Sequence, residues 1–189
     1  MKNMRSLGRN EFEKDGYRLS QVRDYNNLKN FDCGDDDLNE YFREDVIKYH
    51  SELLSQAYII QRVTVGDDFP VALIDLCNDA VRHEKFKIEH PIDKTTVDDK
   101  TRVFPAVKIT RFGVQKEFQG NNIGSHIVNM VRDMFLIDNR TGCRLVTVDA
   151  YNNPRALNFY QSNGFDFFTG KDKEQSTRSM FFDLKRLRI

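Results

Sequence analysis

A chain of 189 residues with 39% hydrophobic side chains is long enough to form one domain with a substantial core. Basic and acidic residues are equal in number, 29 each, so no overall basic excess attracts the protein to nucleic acid or anionic lipid. The three cysteines are widely spaced, which indicates neither a disulfide framework nor a zinc site, and no metal is expected. No apolar run approaches the ~20 residues of a membrane span. The N-terminus also lacks the apolar centre of a signal peptide, so a cytoplasmic location without a membrane partner is predicted.

The N-terminal part of the chain predicts one strand and one helix. Residues 1–16 are charged and show no periodicity, which predicts a flexible segment ahead of a domain over residues 17–189. A first strand is predicted over residues 17–22. The string FDCG at 31–34 is followed by three aspartates at 35–37, which favour a helix N-terminus, and then by a mostly apolar stripe. We interpret this helix as part of the scaffold.

The middle of the chain predicts a hairpin and an insertion. Two apolar runs, at 58–65 and 71–77, are joined by a short polar segment and read as antiparallel strands. Residues 79–104 are highly charged and contain histidine and proline, which predicts a partly helical insertion. Further strands are predicted over 145–150 and 178–184.

The periodicity changes between residues 107 and 135. Residues 107–114 read as a strand and 115–119 as a polar turn. A helix follows, because apolar residues recur on one face, at Ile123, Ile127, Met130, Val131 and Met134. The junction QGNNIG at 119–124 contains residues that tolerate positive φ, and it points N–H groups at the positive end of a helix dipole. This predicts an anion site.

Two common phosphate loops do not account for this junction. The chain contains no Gly-Lys-Ser/Thr tripeptide, which a Walker loop requires, and no G-x-G-x-x-G dinucleotide fingerprint. A second motif, NPRALNFYQSNGF at 153–165, follows the predicted strand at 145–150. Asn153 and Pro154 predict a helix start, and Asn163 with Gly164 predicts its end.

Both motifs resemble those of the GCN5-related N-acetyltransferases (GNAT). Gln119, Gly120 and Gly124 match the pyrophosphate loop Gln/Arg-x-x-Gly-x-Gly/Ala, and Asn122 replaces its first patterned glycine. The second string matches Asn-x-x-Ala-x-x-Phe-Tyr-x-x-x-Gly-Phe at every patterned position. The resemblance covers residues 55–185 and implies a single α/β domain with a mixed, splayed central sheet flanked by helices. The FDCG-x-x-x-LN-x-(Y/F) string resembles the branch that includes toxins acetylating aminoacyl-tRNA.

The resemblance implies acetyl-CoA as acyl donor and assigns residues to it. The backbone groups of Phe112, Gly113 and Val114 would bind the pantetheine arm and the thioester oxygen, and Asn153 would lie near the pantetheine. The pyrophosphate would bind the N–H groups of Gln119, Gly120, Asn121, Asn122, Ile123, Gly124 and Ser125. Tyr160 matches the position whose hydroxyl lies near the thioester sulfur and is the candidate general acid.

The general base is not identified by the motifs. Asp149 and Asp75 both lie on predicted strands from which a carboxylate would reach an amine directly or through water, and Asp149 is the candidate that we retain. His126, just inside the second helix, is interpreted as solvated or phosphate-facing.

These observations predict an acyl-CoA-dependent N-acyltransferase that transfers acetyl to a primary amine of a small molecule or protein. One alternative is a toxin-like acetyltransferase of aminoacyl-tRNA, and another is a non-catalytic acyl-CoA-binding regulatory module. A small-molecule or peptide amine is the expected acceptor, with tRNA second, because the lysines at 85–108 are interleaved with acidic residues. A homodimer is compatible with the sequence.

Overall fold

The computed structural model describes residues 5–8, 11–64, 69–82, 103–137 and 141–187. Its strands are β1 (Arg5–Gly8), β2 (Glu11–Lys14), β3 (Tyr17–Gln21), β4 (Gln56–Arg62), β5 (Ala72–Arg82), β6 (Val103–Val114), β7 (Leu145–Tyr151), β8 (Asp166–Phe167) and β9 (Thr177–Asp183). Its helices are α1 (Asp36–Glu40), α2 (Val46–Ser51), α3 (Ile123–Ile137) and α4 (Pro154–Ser162). A π turn, Tyr41–Asp45, joins α1 to α2, and 3-10 turns occur at Tyr25–Leu28, Lys116–Phe118 and Leu184–Leu187.

Within these ranges the strands form one mixed sheet. Hydrogen bonding orders them β1-β2-β3-β4-β5-β6-β7-β9-β8. β6 and β7 run parallel, whereas β1 to β5 and the β7-β9-β8 group pair antiparallel. The predicted α/β fold with a mixed sheet is confirmed, as are the predicted hairpin, now β4–β5, and the terminal strand β9.

The chain divides into two compact units. The first comprises Met1–Cys77 and Thr110–Ile137, and the second Asn78–Ile109 and Asp138–Ile189, so β5 and β6 contribute to both. The core of the first unit contains the buried side chains Val22, Leu28, Phe31, Cys33, Tyr41, Phe42, Val46, Ala57, Ile59 and Leu73. The core of the second contains Val81, Phe104, Ala106, Leu145 and Phe181. Burial of these side chains stabilises each unit.

The helix predicted after the QGNNIG junction is confirmed as α3. All of the apolar residues predicted to share one face are buried in the structure, namely Ile123, Ile127, Met130, Val131 and Met134. The predicted helix after the FDCG string is also present, with Asp35 as N-cap accepting from the Leu38 N–H at 3.1 Å. No helix among the described residues is long and apolar enough to cross a membrane.

Residues 1–16, which the sequence predicts to be a flexible segment, include the strands β1 and β2. β2 pairs with β3 so that Phe12 lies opposite Leu19, and both side chains are buried. A single phenylalanine in a charged run gives no periodic signal, and its strand is stabilised by the cross-strand partner instead.

The predicted insertion at 79–104 is wrong at both of its ends. Residues 79–82 continue β5, and β6 begins at Val103, so that Pro105 lies inside a strand. Pro105 has no N–H to donate, but its carbonyl accepts a hydrogen bond from the Arg144 N–H at 2.8 Å. Residues 83–102 of the insertion lie outside the described residues.

Candidate functional site

The predicted cofactor strand, β6, leaves its parallel partner before it ends. The β6–β7 register runs from Ala106 opposite Leu145 to Ile109 opposite Val148. Both strands continue beyond that pair, β6 to Val114 and β7 to Tyr151. The residues predicted to bind the pantetheine arm, 112–114, therefore follow the last β6–β7 pair, as the predicted splay requires.

The turn between β6 and α3 has the backbone conformation that its sequence predicts. Gly120 has φ of +82° and Asn122 has φ of +56°, so the asparagine that replaces a patterned glycine occupies the left-handed region. A Cβ built on Gly120 would meet no atom within 4 Å, and the surface at Gly120 is open. The His126 N–H donates to the Asn122 carbonyl at 3.0 Å, which makes Asn122 the residue at the start of the helix. The N–H groups of the first turn of α3 then face this open turn, an arrangement that suits an anion.

Gln119 contributes to this turn differently from the prediction. Its side-chain amide donates to the carbonyls of Cys33 at 2.7 Å and Val114 at 2.8 Å. Its backbone N–H donates to the Lys116 carbonyl at 3.2 Å. Gln119 therefore shapes the turn, while Gly120 to Ser125 present the helix N-terminus.

The second unit carries the other predicted residues. Asn153 caps α4, since its Oδ1 accepts from the Ala156 N–H at 2.9 Å. Tyr160 is 8% exposed, and its ring lies against Phe159 and Phe165 with centroids 5.1 and 5.3 Å away. Burial raises the pKa of Tyr160, and its hydroxyl makes no hydrogen bond to any part of the chain that the structure describes. The hydroxyl is held protonated, as a general acid must be.

Asp149 is engaged at both carboxylate oxygens. Oδ2 pairs with the Lys108 ammonium, and Oδ1 accepts from the Ser179 hydroxyl at 2.7 Å. Burial raises the pKa of Asp149, but the hydrogen bonds from Lys108 and Ser179 outweigh it and the pKa lies below its usual value. A carboxylate so occupied is poorly prepared to accept a proton.

Asp75 is the centre of a buried polar cluster in the first unit. Its Oδ2 accepts from the hydroxyls of Tyr41 at 2.7 Å and Thr110 at 2.6 Å, while Oδ1 has no partner among the described residues. The Arg111 guanidinium lies over the Tyr41 ring, 4.9 Å from its centroid. Burial, and then the neighbouring Asp75 carboxylate, raise the pKa of Tyr41. Sequence reasoning missed Tyr41, Thr110 and Arg111, although a threonine and an arginine inside an apolar strand were a visible signal.

His126 does not face the turn that it follows. Its ring lies 5.3 Å from that of Tyr17, its Nδ1 is 3.8 Å from the Asp15 carboxylate, and its Nε2 is 3.4 Å from the Lys14 carbonyl. The histidine therefore contacts the β2–β3 hairpin, and its interpretation as a phosphate-facing residue finds no support. Within the described ranges, no group of three or more His, Cys, Asp or Glu side chains is arranged to hold a metal ion.

Comparison with known proteins agrees with this geometry. Residues 89–166 match the family model described as an acetyltransferase (GNAT) domain. A tyrosine-to-phenylalanine mutant of KacT superposes with a TM-score of 0.72 at 17% identity, over 92% of this chain and 98% of that one. The chain has the fold of the GNAT acetyltransferases. The predicted resemblance to the GNAT superfamily is thereby confirmed at the level of the fold.

Two further structures of similar fold were determined with bound molecules. The AtaT toxin bound to the C-terminus of the antitoxin AtaR and acetyl-CoA has a TM-score of 0.64 at 23% identity, covering 92% of this chain and 97% of that one. AtaT complexed with acetyl-methionyl-tRNAfMet has a TM-score of 0.68 at 22% identity, covering 91% and 97%. No curated protein sequence matches the chain significantly.

These findings bear on the earlier predictions. An N-acetyltransferase that uses acetyl-CoA is supported by the GNAT domain match and by the bound donor in a structure of the same fold. The expectation that nucleic acid is an unlikely partner, with tRNA second among the acceptors, finds no support, because one protein of this fold was determined with tRNA.

Proposed function

We propose that this protein is an acetyl-CoA-dependent N-acetyltransferase acting on a primary amine. The observation that carries the proposal is the β6–turn–α3 unit, in which Asn122 adopts the left-handed conformation that the pyrophosphate loop needs. The same residues lie within the matched GNAT domain. The open surface at Gly120 and the α3 N-terminus fit the diphosphate of coenzyme A.

The proposed acetyl transfer involves the amine, the thioester and the Tyr160 hydroxyl. The amine lone pair attacks the thioester carbon and the C–S bond then breaks. The amine nitrogen loses one proton to solvent, and the thiolate gains one. The Tyr160 hydroxyl, kept protonated by burial, donates to the departing thiolate. The amide and coenzyme A thiol that result account for every atom, and solvent restores the tyrosine proton.

A second candidate acceptor is the amino group of an aminoacyl-tRNA. The observation favouring it is the similarity of fold, over 91% of the chain, to AtaT complexed with acetyl-methionyl-tRNAfMet. The FDCG string of residues 31–34 is also similar to the toxin-type branch. Against it stands the balance of 29 basic and 29 acidic residues, which gives no general attraction to a polyanion.

The proposal is tested by donor binding and then by acetyl transfer. A thermal-shift titration with acetyl-CoA should stabilise the protein, because a ligand that binds only the folded state raises its unfolding temperature. A thiol-release assay then follows with spermidine, a peptide with a free N-terminus and methionyl-tRNA as acceptors. Thiol release with one acceptor supports the enzyme and identifies its acceptor class. Stabilisation without release from any of the three indicates a non-catalytic acyl-CoA-binding module, and no stabilisation overturns the proposal.

A further inference from the structure

The FDCG segment, residues 31–34, lies against the chain that is expected to hold coenzyme A. Here the cofactor segment is residues 113–119, from the end of β6 into the turn before α3. A Cβ built on Gly113 would lie 3.1 Å from the Cys33 Cβ and 3.1 Å from the Phe31 Cζ. Side chains of the FDCG segment therefore pack directly behind the backbone predicted to bind the pantetheine arm.

Asp32 makes the polar contacts to the next part of the cofactor segment. Its carboxylate pairs with the Lys116 ammonium at 2.8 Å, and its carbonyl accepts from the Lys116 N–H at 2.9 Å. Its own N–H donates to the Gln115 side-chain carbonyl at 2.8 Å. Three groups of one residue thus bind two successive residues of the turn, fixing its position and direction.

The last two residues of the FDCG segment complete the contact. The Cys33 carbonyl accepts from the Gln119 side-chain amide at 2.7 Å. Gly34 has φ of +81°, and a Cβ there would lie 2.9 Å from the Lys116 Cε. The positive φ favours glycine at position 34, since other side chains are strained in that conformation.

We propose that the FDCG segment is a positioning element for the coenzyme A diphosphate, with Asp32 and Gln119 as its positioning residues. The inference rests on the proposed function, because it assumes that the turn after β6 binds the donor. In this proposal the side chain of Gln119 holds the turn in place, and the N-terminus of α3 binds the diphosphate. The Lys116 ammonium, with hydrogen bonds from Gly34 and Asn39, lowers the pKa of Asp32 to about 2, so the ion pair persists at neutral pH.

The test compares Asp32→Asn and Gln119→Met with the parent protein by calorimetric titration of acetyl-CoA. Asp32→Asn should weaken binding about threefold, the effect of losing an exposed ion pair. Gln119→Met, which has similar length and no donor, should weaken it about tenfold through two lost hydrogen bonds. Asp45→Asn is the matched control, because Asp45 forms a comparable exposed ion pair at 2.6 Å with Lys48 of α2 and none with the residues of the turn.

Four outcomes separate the possibilities. Weaker acetyl-CoA binding in both variants supports positioning, provided that both remain folded and that Asp45→Asn binds like the parent. The kcat at saturating donor should then stay near the parent value. If Lys116 itself bound the diphosphate, Asp32→Asn would release the lysine and tighten binding, which would overturn the inference. Parent-like affinity in both variants overturns it as well, while the proposed function stands. A parent protein that does not bind acetyl-CoA refutes the proposed function, and the inference with it.

Discussion

Tyr160 is the residue on which turnover is expected to depend most. General acid catalysis typically contributes ~10²–10⁴-fold, so Tyr160→Phe should lower kcat by that order while leaving acetyl-CoA affinity nearly unchanged. The ring of Tyr160 packs against Phe159 and Phe165, and phenylalanine preserves that packing. The measurement is steady-state kinetics with the acceptor identified by thiol release, beside a calorimetric titration of the donor. Tyr49→Phe, at a half-exposed tyrosine on α2, is the control.

The pH profile gives a separate check on the same hydroxyl. Burial raises the pKa of Tyr160 above the ordinary tyrosine value of about 10, so the group stays protonated across the range in which the protein is assayed. Turnover should therefore not fall as the pH rises from about 7 to 9 through any loss of the Tyr160 proton. A decline in the parent that disappears in Tyr160→Phe would contradict the assignment.

Asn122 tests the backbone of the turn. Because its φ is +56°, Asn122→Gly should preserve folding and bind acetyl-CoA as tightly as the parent or more tightly. Asn122→Val should cost roughly 1–2 kcal/mol of folding stability, since a branched side chain is strained in the left-handed region. Chemical denaturation and donor titration of the two variants measure these effects. Equal stability of Asn122→Val and the parent would show that the conformation is not required.

At the scale of elements, the N-terminus of α3 carries the predicted phosphate contact. Gly124 lies in its first turn, where the backbone is expected to approach the diphosphate. Gly124→Val places a branched side chain there and should weaken acetyl-CoA binding by about tenfold or more, a loss of ~1.4 kcal/mol or more. Calorimetric titration measures the affinity, and circular dichroism establishes that the variant is folded. A folded variant with parent-like affinity would refute the assignment of the turn.

The C-terminal part of β6 contacts β5 beyond its last pair with β7. β6 is bonded to β7 only as far as Ile109, and Thr110, the next residue, donates to the Asp75 carboxylate on β5. The cluster of Asp75, Tyr41 and Arg111 therefore lies beside the part of β6 that has left the β7 ladder. A buried carboxylate with one unpaired oxygen lowers folding stability. The Asp75 carboxylate is therefore a stronger candidate for a functional group than that of Asp149, whose two oxygens are both bonded.

At the scale of the whole molecule, the charge balance bears on the choice between acceptors. A protein that binds tRNA tightly neutralises several phosphates, and its affinity for tRNA then falls steeply as the salt concentration rises. Of the interleaved lysines at 85–108, Lys108 lies in the described residues, and it is paired with Asp149. We therefore expect weak tRNA binding with little salt dependence and no growth arrest on expression in bacteria. Filter binding of methionyl-tRNA across salt concentrations measures this.

The opposite result has a clear meaning. Affinity for methionyl-tRNA that falls steeply with salt, together with acetylation of its amino group, would establish the tRNA acceptor and reject the small-amine and peptide reading. The non-aminoacylated tRNA is the control, because it presents the same phosphates without the acceptor amine. Binding of both forms without acetylation would show that charge alone causes the association.

The sequence by itself determined the features that depend on near neighbours along the chain. The periodicity of α3, the Asn153 cap and the left-handed Asn122 all follow from residues within a turn or two of each other. The motifs that resemble those of GNAT proteins lie on these local elements, which is why the fold and the conformation of the turn could be predicted.

Only the tertiary structure decided the contacts between distant segments. Lys116 and Asp32 are separated by 84 positions along the chain, and Thr110 and Asp75 by 35. No local sequence pattern therefore predicts either contact. Phe12 gains its partner Leu19 through strand pairing, which a charged and aperiodic segment does not reveal. Asp149 was a candidate general base in the sequence because its partners, Lys108 and Ser179, lie on other strands and could not be identified from it. Cross-strand neighbours are set by register and burial, and these exist only once the chain has folded.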